Sequence, residues 1–182
     1  PKVAAAIQRQ AAELATIAPA TTNLRRGEAA ERILSKIEGM AAVFFTNGGA
    51  DAVENAIRMA RVHTGRTKVL SHYRSYHGNT GAAINATGDT RRVDNEYALG
   101  HVHCFGPFAY RSEFWAETEE QECERALQHA RRVIESEGPS TFAAILVEAV
   151  PGTAGILVPP AGYLQGLREL ADRYGIVLII DE

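Results

Sequence analysis

Asn47-Gly48-Gly49-Ala50 stands between the apolar run Ala41 to Phe45 and a stretch in which Val53, Ala56, Ile57 and Ala60 recur at i, i+3, i+4 and i+7. The pattern predicts a short strand over 41–46, a glycine turn, and an amphipathic helix that starts near Ala50 and pairs Glu54 with Arg58 at i,i+4. Gly48 and Gly49 let the backbone take positive φ and approach a ligand closely, and the first N–H groups of a helix have no partner within it. Together with the positive end of the helix dipole, those N–H groups suit a phosphate. Taken alone, the segment equally fits a plain strand-to-helix connection.

A second feature changes the balance. Ile176-Val177-Leu178-Ile179-Ile180 is a strand covered on both faces, and it delivers Asp181 at its C-terminal end. Thr141 to Val147 is a similar strand ending in Glu148. In an open α/β sheet that edge is where ligands bind, so a phosphate cradle and two carboxylates there point to a nucleotide or a phosphorylated cofactor. A carboxylate facing a protonated ring nitrogen keeps it cationic, as a pyridine-based electron sink requires. Tyr76, on the loop after a strand at Lys68 to Ser71, is placed to lie over a planar ring, and His77 beside it to carry a proton or stack.

Other constellations are weaker. His101 and His103 share one face of a short strand with Cys104 on the other, but no third ligand stands at metal-like spacing, so no metal is assigned. Ser71, Ser75 and Ser112 lack the nucleophile-elbow sequence of a hydrolase. The closing Asp181-Glu182 resembles the magnesium-binding strand of a P-loop ATPase, yet none of Lys2, Lys36 and Lys68 lies in a P-loop context. Arg91 and Arg92 are expected on a solvated face, with a carboxylate substrate as the secondary reading.

The elements that position these groups are those of an α/β domain. Strands alternating with helices imply a mostly parallel sheet with right-handed crossovers. Helices are expected around Val3 to Leu14, Ala30 to Ile37 with Gly39 as its stop, Gly81 to Ala86, Thr118 to Glu137, and Leu164 to Tyr174; 90–115 reads as a long irregular binding or interface loop. The net charge of −3 with a pI near 6.1 gives no electrostatic basis for nucleic acid or an anionic membrane as partner. Two cysteines and no secretory-type start point to the reducing cytoplasm. Pro1 opening directly on a helical pattern and Glu182 closing on a strand end are expected marks of a fragment.

Thr46 to Glu54, Tyr76-His77-Gly78, Glu148 followed by Pro151-Gly152, and Asp181-Glu182, in this order, resemble the class III aminotransferases of the pyridoxal-phosphate fold type I superfamily. The resemblance implies a three-layer αβα large domain, partial here: residues 1–40 as a helical segment on that domain or on a dimer partner, 41–182 as the cofactor-binding part, and no small C-terminal domain. It implies that Gly48, Gly49 and Ala50 cradle the phosphate of pyridoxal 5'-phosphate, that Tyr76 stacks on its ring with His77 beside it, and that Asp181 pairs with the ring nitrogen while Glu148 lies close by. Ala50 replaces the family's usual serine, and Ala149 its usual proline. The Schiff-base lysine and a second ring-stacking valine of the family lie beyond Glu182. Expected for the complete protein is a homodimer that passes an amino group from an amine donor, often an ω-amine, to a keto-acid acceptor; the 182-residue segment alone is expected to be inactive. An isomerase or decarboxylase on the same cofactor, and a non-catalytic relative serving as an interaction module, are the alternatives.

Overall fold

The computed structural model describes residues 1–182, which form two units, Pro1–Phe45 and Thr46–Glu182. In the first unit, α1 (Lys2–Glu13) and α2 (Leu24–Leu34) carry no buried residue, and Val3, Ile7, Leu24 and Ile33 are exposed. Asn23 caps α2 by accepting from the Arg26 N–H at 3.0 Å, and Arg25 donates to Gln10 of α1 at 3.2 Å. The helix stops at Leu34, before the expected Ile37, and Gly39 (φ +80°) follows a run of turns.

No strand forms over 41–46, contrary to the sequence pattern. An apolar run becomes a strand only when a neighbour completes its ladder of N–H and carbonyl groups. Here these residues join no sheet, and Phe44 and Phe45 remain exposed.

The second unit is a four-stranded parallel sheet, β1 (Lys68–His72), β2 (His101–Cys104), β3 (Phe142–Glu148) and β4 (Val177–Asp181), in the order β2-β1-β3-β4. α3 (Gly49–Thr64) and α4 (Gly81–Ala86) cover one face, where Val53, Ile57, Ala60, Ala83 and Ala86 pack on Val69, Ala144 and Leu146. α5 (Glu119–Glu137) and α6 (Tyr163–Tyr174) cover the other, where Ala126, Ala130, Ile134, Leu167 and Ala171 pack on Leu70, Phe142, Ile145 and Val147. The three-layer αβα arrangement is therefore the one expected. Ala143 and Ala144 both face α3 because the β1–β3 register slips between Lys68 and Val69, and a slipped residue breaks the period-2 alternation. β4 is less covered than its composition suggests. It is an edge strand of this sheet, and Ile180 is 43% exposed.

Alternation along β1 also fixes a buried polar pair. Leu70 and His72 face α5 and α6, and His72 Nε2 shares a 2.9 Å hydrogen bond with the Tyr163 hydroxyl. Burial, followed by the nearby His77 and His129, pushes the His72 pKa down to about 4, so the ring is neutral in the fold. In the unfolded chain it titrates near 6.5, so that state binds more protons between these values and stability falls as pH drops from about 6.5 to 4. The expected loss at this site is of order 3 kcal/mol. Denaturant midpoints measured at pH 7.5 and 4.5 should converge in His72→Gln relative to the unsubstituted protein; an unchanged pH dependence would contradict this origin.

Candidate functional site

Because all four strands are parallel, their C-terminal ends share one edge, and α3, which leads into β1, starts at that edge. β1 runs into the loop Tyr73 to Thr80, β3 ends in Glu148 and β4 in Asp181, with Glu148 and Asp181 as register partners.

The first helical hydrogen bond of α3 runs from the Ala52 N–H to the Gly48 carbonyl at 3.0 Å, which leaves the N–H groups of Gly49, Ala50 and Asp51 without intrahelical partners. No side chain caps them. The glycines act differently from the sequence expectation. Gly48 is extended (φ −171°) and Gly49 is the first helical residue, so neither uses positive φ. A Cβ on either would meet nothing within 4 Å, so they leave open space over the helix end.

The strained glycine is Gly78. It has φ +124°, and a Cβ there would stand 2.7 Å from Ala50 Cβ and 3.2 Å from Ala83 Cβ. Its carbonyl accepts from Thr87 Oγ1 at 3.3 Å, and the His77 N–H donates to the same hydroxyl at 3.0 Å. Glu54 completes the clamp by accepting from Thr80 Oγ1 at 2.9 Å and the Ala83 N–H at 3.1 Å. The predicted Glu54–Arg58 pair does not form, since Glu54 is taken by α4 and Arg58 donates to Asn55 at 2.8 Å.

His77 joins this corner to the acid. Its buried ring makes a 2.9 Å contact from Nδ1 to Asp181 Oδ2, the geometry of an N–H donating to a carboxylate, while Asp181 Oδ1 makes no hydrogen bond within the chain. His77 Nε2 is buried without a partner. His77 is therefore an anchor for Asp181, a role that its place on a loop did not reveal. The adjacent residues His77 and Gly78 touch Asp181 and Ala50, so the helix start and the strand-end carboxylate lie at one corner.

Glu148 spends both oxygens on loop amides, accepting from the Tyr76 N–H at 2.8 Å and the Gly152 N–H at 2.9 Å. It sets the height of Tyr76 above the sheet edge. Glu148→Ala frees both amides and is expected to cost about 2 kcal/mol, with faster proteolysis within 149–156; Gln, which keeps an acceptor oxygen, should lose less. An unchanged denaturant midpoint in the alanine variant would remove this role.

Half-buried Tyr76 has the Arg91 guanidinium carbon 3.7 Å from its ring centroid. His103 is not free for a metal: Nε2 lies 3.1 Å from the Thr87 carbonyl and the ring stacks on Tyr73. Both nitrogens of His101 are buried without partners, and burial pushes its pKa down to about 4.

These features fit a flat heterocycle bearing a phosphate. Unpaired N–H groups and open space stand at one end, an aromatic ring at the side, and a carboxylate with a free oxygen at the other. The comparisons agree with that chemistry. Residues 1–182 match the family described as aminotransferase class-III. A taurine–pyruvate aminotransferase of Bilophila wadsworthia is 33% identical over 97% of this chain and 40% of its own length. A β-alanine–pyruvate aminotransferase of Pseudomonas aeruginosa is 34% identical over 84% of this chain and 36% of its own. The solved structure of a taurine:2-oxoglutarate aminotransferase from Bifidobacterium kashiwanohense, in complex with PLP and glutamate, superposes with a TM-score of 0.94 at 40% identity, over 99% of this chain and 42% of that one. The chain thus spans about two fifths of the length of these relatives.

Proposed function

Since the chain belongs to the class III aminotransferases, we propose that it forms the pyridoxal-phosphate-binding part of an enzyme that moves an amino group between an amine donor and a keto acid. The observation that carries this is the His77-Gly78 pair, which ties a carboxylate to an unpaired helix start across two adjacent residues. The N–H groups of Gly49 and Ala50 would hold the phosphate, with Gly48 keeping the approach open and Tyr76 lying against the ring. Asp181 would face the ring nitrogen through its free oxygen. When bound, the cofactor supplies an electron sink for carbanion chemistry. The chain's own part is to bind, orient and charge it: Asp181 favours the protonated nitrogen, His77 holds Asp181 in place, and Glu148 holds Tyr76.

Relatives that act on taurine and β-alanine support an ω-amine donor that carries an anionic group, with pyruvate or 2-oxoglutarate as acceptor. The unburied apolar residues of α1 and α2 support a homodimer. Residues 1–40 would then serve as the segment that meets the large domain or the partner, with 41–182 as part of the large domain. No helix is long and apolar enough to cross a membrane. Two free thiols, with burial pushing Cys104 up to about 12, support a reducing cytoplasm.

Pyridoxal phosphate added to the full-length protein should produce a visible absorption band that β-alanine shifts and pyruvate restores. Absence of both the band and the amine response would overturn the reading.

A further inference from the structure

Three arginines reach this sheet edge, and they differ in what they have left to give. Arg92 donates to Glu96 at 2.8 Å and to the Gly88 and Asp89 carbonyls at 3.1 and 3.2 Å, and its side chain is mostly covered. Arg74 is paired with Glu113 and lies over the Phe108 ring. Arg91 alone lies on Tyr76. Asp89 accepts from the Arg91 backbone N–H at 2.9 Å and from its Nε at 2.9 and 3.1 Å, and also pairs with Nη2. That spends one side of the guanidinium. Nη1 makes no hydrogen bond, and the side chain is 49% exposed.

The nearby acids cannot use that donor. Glu148 is committed to two loop amides, and Asp181 lies on His77. An aromatic ring has two faces, so Arg91 on one leaves the other to a flat heterocycle. The arrangement therefore sets an oriented, unspent cationic donor beside the ring on which the reacting group would lie. Asp89 offsets the charge of Arg91 but fixes the planar fork, so little rotamer freedom remains to be lost when an oxyanion arrives.

We propose that Arg91 recognises the negatively charged end of the substrate and makes this a site selective for amines carrying a carboxylate or a sulfonate, an inference that rests on the aminotransferase assignment. Arg91 is a specificity residue: it meets the end of the substrate remote from the amine.

The test compares the full-length enzyme with Arg91→Gln and Arg91→Lys, using β-alanine, taurine and butylamine as donors to pyruvate. In Arg91→Gln, kcat/KM for the two anionic donors should fall tenfold to a hundredfold more than for butylamine, chiefly through KM, and Lys should recover part of that loss. A loss confined to β-alanine or to taurine identifies which oxyanion is read and still supports the assignment. Calorimetry supplies a readout independent of turnover: binding of propanoate or propanesulfonate should weaken by the same factor in Arg91→Gln. An equal loss for charged and uncharged donors, or none, would overturn the role of Arg91 while leaving the transaminase reading intact. An unsubstituted enzyme inactive on all three donors would overturn both.

Discussion

Asp181→Asn in the full-length protein is expected to lower turnover by about a thousandfold and to weaken pyridoxal-phosphate binding, with little change in folding. Asparagine has the same shape, and its carbonyl oxygen can still accept from His77 Nδ1, which lies 2.9 Å from the carboxylate. Only the negative charge is lost. That charge is what would keep a ring nitrogen protonated, and a neutral ring is a much poorer electron sink. An effect of 10²–10⁴ is typical when a group that controls a proton in the transition state is removed. His77→Gln should give a smaller loss, since it loosens Asp181 without discharging it. The checks are steady-state kinetics, a cofactor titration and a thermal melt on each variant. Activity within tenfold of the unsubstituted enzyme in Asp181→Asn would remove the acid from its assigned role.

Gly78→Ala is the second substitution with a large expected effect. Its backbone lies in the left-handed half of conformational space at φ +124°, and the added methyl would come within 2.7 Å of Ala50 Cβ and 2.9 Å of Ala50 Cα. Left-handed strain and a backbone overlap together cost about 3 kcal/mol. Relief requires the start of α3 to move away from the loop, which shifts the N–H groups proposed to hold the phosphate. Cofactor affinity should therefore fall at least tenfold and the melting temperature by several degrees. Gly48→Ala is the contrasting case for stability. A Cβ at Gly48 meets nothing within 4 Å, so the expected cost is about 1 kcal/mol or less, from the poorer N-cap alone. Equal destabilisation by the two substitutions would contradict the assignment of Gly78 as the obligatory glycine.

The parallel sheet was legible because its strands are nearly continuous apolar runs and its helices carry clean stripes. Val53, Ile57 and Ala60 are buried as their spacing implies, and Glu148 and Asp181 end adjacent strands. What the sequence hid was mostly pairing. Ala41 to Phe45 reads as a strand by composition, yet composition does not specify a ladder partner, and none pairs with it here. Likewise the β-branched run of β4 does not reveal that it stands at the edge of this sheet. Within the candidate site, the residue types were visible but not their partners. Glu54 is at i,i+4 from Arg58, a local signal, but a contact with α4 some 26 residues away wins. His77 buried on Asp181, Glu148 spent on loop amides, and Arg91 lying on Tyr76 are all contacts between segments far apart in the chain or on opposite sides of a turn. Local periodicity carries no information about them. The two glycines before α3 drew attention because they are adjacent, whereas the glycine with the tightest steric constraint at this corner sits in Tyr76-His77-Gly78, where only the close approach of Ala50 explains it.

A crystal structure of the full-length protein soaked with pyridoxal phosphate tests the central assignment most directly. The expected result is a phosphate within hydrogen-bonding distance of the Gly49 and Ala50 N–H groups, with the ring nitrogen on Asp181 and the ring against Tyr76. A cofactor bound with its phosphate away from the start of α3, or with its nitrogen facing a group other than Asp181, would contradict it.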